Sequence, residues 1–376
     1  MTDLEPILGL WRELENSGAE YVVATIVAVE GSSYRRPGAR MLLAQDGRRA
    51  GTVSGGCLEA EVARRAFWLT ADGPVIERYS TLEDDGDLPY GSGCGGVVFI
   101  LLERRLTAAP LLSRLEAAFA ARAPLAIATV LSGLHIGRRA FGDPSFNDPA
   151  SLPLQVELDD LAHAALADRK TFEDEILIDT EPTRVRVEYC PARPALWIFG
   201  AGDDAKPLVH IARELGWFTA VADGRSHLAT AARFPIANEV HLLPASDQPL
   251  QFDLHLTDAA VLMTHSFEQD ARALTFLLAC KPAAQPAYIG VLGPQRRTRE
   301  LLNEATRRLH LTPTAKLLDQ WLEDLHAPMG LDLGAEAPNT IALSVVAEIQ
   351  KALTSSTALP LRQVRATKLD MASRKG

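Results

Sequence analysis

The sequence predicts an α/β protein of two domains, in which a mixed α/β N-terminal domain precedes a domain with a doubly wound parallel sheet. With 376 residues, the chain exceeds what a single hydrophobic core usually supports. The proline-rich segment Pro191-Ala192-Arg193-Pro194 is the clearest domain boundary. Beyond it, strand-like and helix-like segments alternate, which is typical of a parallel sheet covered by helices on both faces. We therefore predict domains at 1–190 and 191–355, followed by a frayed tail at 356–376.

Composition and charge exclude several classes of protein. Hydrophobic residues make up 47% of the chain and charged residues 23%, as in a soluble protein with a packed core. A formal net charge of −10 argues against nucleic-acid binding, because no excess of Lys and Arg is available for phosphates. The four cysteines form neither a disulfide framework nor a zinc-type CxxC pair. The N-terminus has no signal-peptide pattern and the apolar runs are too short for a membrane span. We therefore expect a cytoplasmic protein with free thiols.

The N-terminal domain begins with an amphipathic helix over Leu4 to Leu14 and a buried strand over Tyr21 to Val29. A loop of small polar residues follows, and it carries three arginines: Arg35, Arg36 and Arg40. Asp46-Gly47 between two apolar runs then predicts a hairpin that leads to the next motif.

That motif, Ser54-Gly55-Gly56-Cys57, is a candidate functional turn. Paired glycines let the backbone turn sharply and approach a ligand closely. Cys57 precedes a predicted helix over Leu58 to Leu69, and the positive end of a helix dipole favours a thiolate. The local residues equally allow a simple strand-to-helix turn with Cys57 as a small buried side chain. A second cysteine among glycines, in Gly93-Cys94-Gly95-Gly96, favours the functional interpretation.

The second domain opens with a dinucleotide-type fingerprint. The strand Leu196 to Phe199 runs into Gly200-Ala201-Gly202-Asp203-Asp204-Ala205, which has the spacing Gly-x-Gly-x-x-Ala at the start of a helix. Asp223 ends the next strand, where an acid that binds a ribose is expected. These features predict a Rossmann-like domain and make NAD(P) the obvious ligand. Asp203 and Asp204, however, would repel a pyrophosphate at the helix N-terminus.

Later motifs follow other strand-like segments of this domain. Thr264-His265 follows one strand, and His265 suits either an acid–base role or a structural capping role. Gly293 follows another strand, and His326 opens a glycine-punctuated loop that extends to Ala335. The segment from His227 to Ala232 is predicted as one of the alternating helices.

Together these motifs resemble the XdhC/CoxI family, the accessory proteins of xanthine dehydrogenase and related molybdenum hydroxylases. The resemblance covers nearly the whole chain. It rests on segments in the family's order: Gly31-Ser32-Ser33 with Arg36-Pro37-Gly38-Ala39-Arg40-Met41, Gly51 to Glu59, Gly93 to Gly96, Phe199 to Gly202, Thr264-His265, Tyr288-Ile289-Gly290 with Gly293, and His326 to Gly334. The family commonly has a histidine after the second glycine of the fingerprint, where this chain has Asp203.

The resemblance implies a chaperone, rather than a turnover enzyme, that binds molybdenum cofactor, protects it during sulfuration and inserts it into a molybdenum hydroxylase apoenzyme. The cofactor would be molybdopterin or its cytosine dinucleotide form. A cysteine desulfurase is the implied sulfur donor, and a homodimer is the implied assembly. Cys57, Cys94 and His265 are the candidate catalytic residues, with Cys57 as a contact to molybdenum, since thiolate is a soft ligand. The candidate cofactor-binding residues are Arg36, Arg40, Ser54, Gly55, Gly56, Cys57, Gly93, Cys94, Gly95, Gly200, Gly202, Asp223, His265, Gly293 and His326.

Two alternatives remain open from the sequence. The fingerprint and Asp223 would also suit an NAD(P)-dependent oxidoreductase. The second alternative is a purely structural adaptor, with a vacant Rossmann-like domain and a hydroxylase as its partner.

Overall fold

The computed structural model describes residues 3–56, 58–80, 96–142, 153–178, 181–244, 248–281 and 285–364. Its contacts divide the chain into two compact units, Met1–Arg193 and Pro194–Gly376. Among the described residues, no helix combines the length and the apolar character that a membrane span requires.

The N-terminal unit contains two antiparallel sheets with helices packed on them. Its helices are α1 (Leu4–Ser17), α2 (Glu59–Leu69), α3 (Arg105–Ala120) and α4 (Pro153–Asp168). Its strands are β1 (Tyr21–Gly31), β2 (Arg40–Ala44), β3 (Arg49–Gly51), β4 (Val75–Ser80), β5 (Gly96–Arg104), β6 (Leu125–Val130), β7 (Arg139–Ala140), β8 (Phe172–Ile178) and β9 (Glu181–Cys190). The described strands have the order β3-β2-β1-β5-β4 in one sheet and β7-β6-β9-β8 in the other.

The continuous apolar run along β1 explains why helices cover both faces of the first sheet. Tyr21 and Val23 pack with helices α1 and α3, whereas Val22 and Ala24 pack with α2. Because successive side chains of a strand point to opposite faces, one continuous apolar run buries both faces of this central strand. In the second sheet, the apolar face of α4 packs on β6 and β9.

The C-terminal unit is built around one parallel sheet. Its strands are β10 (Ala195–Phe199), β11 (Phe218–Asp223), β12 (Glu239–Leu242), β13 (Ala259–Leu262) and β14 (Tyr288–Val291), in the order β12-β11-β10-β13-β14. Its helices are α5 (Ala205–Glu214), α6 (Phe267–Ala279), α7 (Gln295–Arg308), α8 (Ala315–Asp324) and α9 (Pro338–Thr354). Helices α5 and α9 pack with Leu196 and Ile198 on one face, and α6 and α7 pack with Trp197 and Phe199 on the other. The prediction of a Rossmann-like, doubly wound domain is confirmed.

The prediction of a helix from His227 to Ala232 is wrong. The segment instead forms consecutive turns, in which the N–H groups of Leu228 and Ala229 both donate to the carbonyl of Arg225. So short a segment gains too few hydrogen bonds to offset the cost of nucleating a helix. Sequence reasoning also did not predict α7 and α8.

Candidate functional site

The turn that precedes Cys57 is held by a carboxylate from the first turn of α2. Oε1 of Glu59 accepts hydrogen bonds from the N–H groups of Val53 and Ser54, at 3.1 and 2.7 Å. The Ser54 hydroxyl donates to the other oxygen of Glu59 and accepts from the N–H groups of Gly56 and Leu58, at 3.1 and 3.0 Å. Burial alone would raise the pKa of Glu59, but these hydrogen bonds outweigh it and lower the pKa. Ser54 and Glu59 therefore fix the shape of the turn.

The predicted cofactor-binding glycines of this turn lie at the surface. Gly55 and Gly56 are exposed, and Gly56 has a φ of +113°. A Cβ at Gly56 would meet no atom of the described residues within 4 Å. A Cβ at Gly55 would lie 3.7 Å from the ring of Tyr34, which is 72% exposed. Tyr34 thus joins the arginine loop to the glycine turn.

The second cysteine motif, Gly93-Cys94-Gly95-Gly96, also contacts the arginine loop, through its residue Gly96. Gly96, its last residue, pairs with Gly31 at the end of the β1–β5 ladder. A Cβ at Gly96 would lie 2.1 Å from the carbonyl oxygen of Ser32, a distance that only glycine allows. Gly93, Cys94 and Gly95 lie outside the described residues, as does Cys57. The arginine loop therefore contacts described residues of both cysteine motifs.

The three arginines of the loop have different environments. Arg35 forms an ion pair with Asp3. Arg40 is buried, where it pairs with both oxygens of Glu188 and donates to the carbonyl of Gly38 at 2.8 Å. Arg36 is exposed and has no carboxylate partner among the described residues. Among the described residues, nothing neutralises Arg36, so of the three it is the arginine best placed to meet an anion.

The cysteines that the structure does describe are not activated. Cys190 is buried and donates to Oε1 of Glu188 at 3.4 Å, and burial together with the Glu188 charge raises the pKa of its thiol. Burial also raises the pKa of the Cys280 thiol. The part of the chain that is described contains no cluster of three or more His, Cys, Asp and Glu side chains suited to a metal ion.

In the C-terminal unit, the fingerprint glycine lies where the strand order reverses. Gly200 directly follows β10 with a φ of +133°, and a Cβ there would lie 2.8 Å from the carbonyl oxygen of Met263, just after β13. The first helices after β10 and β13 cover opposite faces, so a crevice opens between these strand ends. Gly200 is therefore required both for its backbone conformation and for the close approach of the two strands.

The side chain of Asp223, at the end of β11, accepts a hydrogen bond from the glycine turn that follows β10. Its carboxylate is fully buried and accepts from the N–H of Ala201 at 2.8 Å. The backbone N–H and the guanidinium of Arg225 donate to the same carboxylate at 2.7 to 2.9 Å. Burial alone would raise the pKa of Asp223, but the hydrogen bonds from Arg225 and Ala201 outweigh it and lower the pKa. Both oxygens thus have protein partners.

The residues beside the second fingerprint glycine are acidic and paired. A Cβ at Gly202 would lie 2.3 Å from Oδ1 of Asp204. Asp203 is exposed and forms ion pairs with Lys206 at 2.8 Å and Arg233 at 2.9 Å. The cations nearest to this turn are therefore neutralised by the chain itself.

His265 and Gly293 follow the two strands on the other side of the crevice. His265 is exposed, between the end of β13 and the first turn of α6. Gly293 follows β14 with a φ of +110° and precedes α7. Beneath them, the buried carboxylate of Asp270 accepts from the Thr264 hydroxyl and from Arg297, both at 2.7 Å. Burial dominates here and raises the pKa of Asp270.

His326 is held in a cluster of its own. Its ring stacks on Tyr288, with centroids 4.2 Å apart, and its Nδ1 lies 3.1 Å from Oε1 of Glu348 on α9. Oε2 of Glu348 accepts from the Tyr288 hydroxyl and from the N–H of Gly330, both at 2.7 Å. The backbone of His326 also pairs with Gly290 as an extension of the sheet. This arrangement fastens the loop after α8 to the sheet edge.

Sequence reasoning missed the groups that organise both sites. Glu59 has a local signal, because an acid in the first turn of a helix commonly accepts from preceding N–H groups. Glu188, Glu348 and Asp270 have no local signal, since each contacts a predicted site residue or its neighbour only in the folded chain.

Comparisons with known proteins agree with this architecture. Residues 14–80 match the XdhC and CoxI family, and residues 196–349 match the XdhC Rossmann domain. A protein of Bacillus subtilis, described as a probable subunit of xanthine dehydrogenase, is 30% identical over 88% of this chain and 92% of its own length. The molybdenum cofactor insertion chaperone PaoD of Escherichia coli is 28% identical over 92% of this chain and 88% of its own length.

A solved structure extends the similarity to three dimensions. The crystal structure of a xanthine dehydrogenase from Bacillus halodurans superposes with a TM-score of 0.71 at 32% identity, covering 95% of this chain and 97% of that one. Sequence motifs, fold and full-length similarity lead to one assignment: the chain belongs to the XdhC/CoxI family.

Proposed function

We propose that this protein is a maturation factor that binds molybdenum cofactor, holds it while the terminal sulfur ligand of molybdenum is installed, and inserts it into a molybdenum hydroxylase such as xanthine dehydrogenase. The main support is the similarity, over most of both chains, to a relative named as a molybdenum cofactor insertion chaperone. The cofactor is the cargo of this protein, which would bind it and release it rather than keep it.

The N-terminal unit has features that suit such a cargo. Molybdenum cofactor is an anionic pterin phosphate, and the exposed guanidinium of Arg36 has no competing carboxylate among the described residues. No described residue would contact a Cβ at Gly56, which suits a ligand that approaches the backbone, and the exposed ring of Tyr34 offers a flat surface next to Gly55. Arg40 and Ser54, which are tied to Glu188 and Glu59, would act by holding these groups in place.

Cys57 is the residue we propose to contact molybdenum or its sulfur. It follows Gly56 and stands two positions before the start of α2 at Glu59, where the helix dipole favours a thiolate. Thiolate is a soft ligand suited to a thiophilic metal. Cys94, in the motif that ends at Gly96, is the second candidate. The sulfur itself would come from a cysteine desulfurase in the cytoplasm, and we propose that the factor acts there as a homodimer.

The crevice of the Rossmann-like unit is a less favourable site for NAD(P). The Asp223 oxygens are occupied by Ala201 and Arg225, and Asp203 adds negative charge beside the turn. If the protein is an NAD(P)-dependent oxidoreductase instead, NADH titration followed by fluorescence will show tight binding with substrate-dependent turnover. We expect neither, and we propose that His265 and Gly293 contact cargo or client rather than a nicotinamide.

Measuring the cofactor that copurifies with the protein tests the proposal. The protein is expressed in a host that makes molybdenum cofactor, and molybdenum and oxidised pterin are assayed in the purified sample. We expect both in wild type, and less of both in Cys57→Ala. Cys280→Ala is the matched control, since Cys280 lies in the other unit with a raised thiol pKa. Equal molybdenum and pterin in Cys57→Ala and wild type would exclude the role of Cys57, and their absence from wild type would exclude cofactor binding.

A further inference from the structure

A small polar cavity of about 10 Å³ lies between the two sheets of the N-terminal unit. The side chains that line this inter-sheet cavity include Thr25 and Arg40 from the first sheet, and Thr129, Arg139 and Arg186 from the second. Thr25 lies directly opposite Arg40 in the β1–β2 ladder. Thr129 lies opposite both Arg139 and Arg186. Because directly paired residues place their side chains on the same face of a sheet, one polar face of each sheet lines the cavity.

Two ion pairs join the sheets beside the inter-sheet cavity. Arg40 of the first sheet pairs with Glu188 of the second. In the reverse direction, Arg139 of the second sheet pairs with Glu103 of the first. The two arginine side chains are only 9% and 6% exposed, and both carboxylates accept from the terminal nitrogens of the guanidinium. These ion pairs therefore leave the Nε–H groups of Arg40 and Arg139 unused.

The third arginine of the cavity is compensated less completely. Arg186 donates through one terminal nitrogen to Glu173 at 3.0 Å. The side chain of Glu173 is 55% exposed, so solvent screens its charge, whereas the side chain of Arg186 is only 13% exposed. Three guanidinium groups thus surround a cavity to which the inside of the unit contributes two well-buried ion-pair partners. The surroundings of the cavity are therefore positively charged.

Four residues that line the inter-sheet cavity each have a buried polar atom without a hydrogen-bond partner among the described residues. These atoms are Nε of Arg40, Arg139 and Arg186 and Oγ1 of Thr25. An unpaired polar group inside a protein is strongly unfavourable, and most such groups have a partner. The three Nε–H groups can only donate, and the hydroxyl can do so as well. The cavity therefore requires an acceptor.

The volume and the number of donors indicate the chemical class of that acceptor. A cavity of this volume holds a single small, spherical occupant, which excludes phosphate, sulfate and carboxylates. A water oxygen accepts about two hydrogen bonds, so one water would leave at least one of the Nε–H groups unpaired. A monoatomic anion accepts from all of the donors and also offsets the positive charge. Chloride is somewhat larger than water, and the partly exposed Arg186 is the side chain that can shift to admit it.

We propose that the inter-sheet cavity binds one chloride ion, which accepts hydrogen bonds from the Nε–H groups of the three arginines and from the Thr25 hydroxyl. The ion would stabilise the contact between the two sheets. It would also hold Arg40, which pairs with Glu188, in its position at the end of the arginine loop. This inference does not depend on the proposed function, because it concerns an inorganic ion inside the scaffold.

Anomalous diffraction from bromide, a halide that substitutes for chloride, tests the position of the ion. Crystals of the full wild-type chain are grown in sodium bromide, and data are collected at the bromine absorption edge. We expect an anomalous peak in the inter-sheet cavity, within hydrogen-bond distance of the three Nε atoms. Density without an anomalous signal, as a water would give, would overturn the inference. This measurement needs no variant.

Thermal denaturation tests whether the ion contributes to stability in solution. The full chain is compared in sodium chloride and in sodium gluconate at equal ionic strength, and we expect a Tm about 2–4 °C higher in chloride. Thr25→Val and Arg186→Met each remove one donor and leave both buried ion pairs intact, so each should lose most of this difference. Arg184→Met is the matched control, since Arg184 is an exposed arginine of the same strand that does not line the cavity.

Three results of the denaturation experiment would contradict the inference. Equal Tm values of wild type in the two salts, even with a bromide peak, would indicate an adventitious ion only. A chloride-dependent difference that persists in both Thr25→Val and Arg186→Met would place the effect of chloride elsewhere. Loss of the difference in Arg184→Met would show that the effect arises from surface charge.

Discussion

Oδ2 of Asp223, at the end of β11, accepts a hydrogen bond from the N–H of Ala201 inside the glycine turn after β10, at 2.8 Å. Arg225 donates to both oxygens of the same carboxylate. The acid at the position that binds ribose in many dinucleotide-binding domains is thus part of the scaffold here.

We predict that Asp223→Asn destabilises the fold. An amide cannot accept from Ala201 and Arg225 on both sides, and it leaves the guanidinium without a counter-charge. The loss should be about 2–4 kcal/mol in the free energy of unfolding, measured by urea denaturation. Asp253→Asn, at a side chain that is 91% exposed, should cost under about 0.5 kcal/mol. Equal urea midpoints for Asp223→Asn and Asp253→Asn would contradict the structural role assigned to Asp223.

Glu348 should make stability depend on pH. Burial alone would raise its pKa, but hydrogen bonds from Gly330 and Tyr288 and the contact with His326 outweigh it, so the folded-state pKa is depressed. Its contribution is then fully present above the unfolded value of about 4.3 and is lost as pH falls through the folded pKa. Glu348→Gln should lose about 1–3 kcal/mol at pH 7, and its difference from wild type should shrink below about pH 4. A difference between Glu348→Gln and wild type that stays constant with pH would refute the prediction.

The effects of mutating Arg40 and Glu188 on stability should be coupled. Each single alanine variant leaves a buried charge unpaired, at a cost of about 3–5 kcal/mol, and the double variant should cost less than the sum of the two. A double-mutant cycle by chemical denaturation measures this coupling. The pair Arg48–Glu13, whose side chains are 50% and 66% exposed, is the comparison, and its coupling should be much weaker because solvent screens both charges. Additive effects at Arg40 and Glu188 would mean that the ion pair does not organise the loop.

Two glycines with positive φ should differ in their tolerance of alanine. Both Gly200→Ala and Gly293→Ala place a side chain in the left-handed region, which costs about 1–3 kcal/mol. At Gly200 the new Cβ also meets the Met263 carbonyl oxygen at 2.8 Å, whereas at Gly293 its nearest contact is Arg297 at 3.6 Å. Thermal denaturation should therefore give a lower Tm for Gly200→Ala. A Tm of Gly200→Ala equal to or above that of Gly293→Ala would indicate that β10 and β13 can move apart with little loss of free energy.

The parts of the fold that could be predicted are those with local signals. The strand before Gly200, the turn and the helix from Ala205 are contiguous, so their periodicity and glycine spacing identify them. Helix α7 was missed because its many arginine and glutamate residues hide the few apolar positions on its buried face, such as Leu301 and Ala305.

The partners within the candidate sites could not be predicted from the sequence. Arg36 and Arg40 lie four residues apart, Arg36 in the loop after β1 and Arg40 at the start of β2. Arg40 is buried against Glu188 of a distant strand, whereas Arg36 is exposed. His326 likewise meets Glu348 because a loop and a later helix pack on the same sheet edge. Such pairings depend on tertiary packing, and no periodic pattern in the sequence indicates them.

The pairing of Gly31 with Gly96 has a consequence for how the N-terminal site forms during folding. The arginine loop and the Gly93–Gly96 motif are distant in sequence, and the β1–β5 ladder brings them together at its Gly31–Gly96 end. Closing so long a loop is entropically costly and kinetically late. A fragment that stops after β4 would retain the arginines and the first glycine turn but would lack Gly96. Under the proposed function, cargo binding would therefore distinguish chains with a complete β1–β5 ladder from chains that lack it.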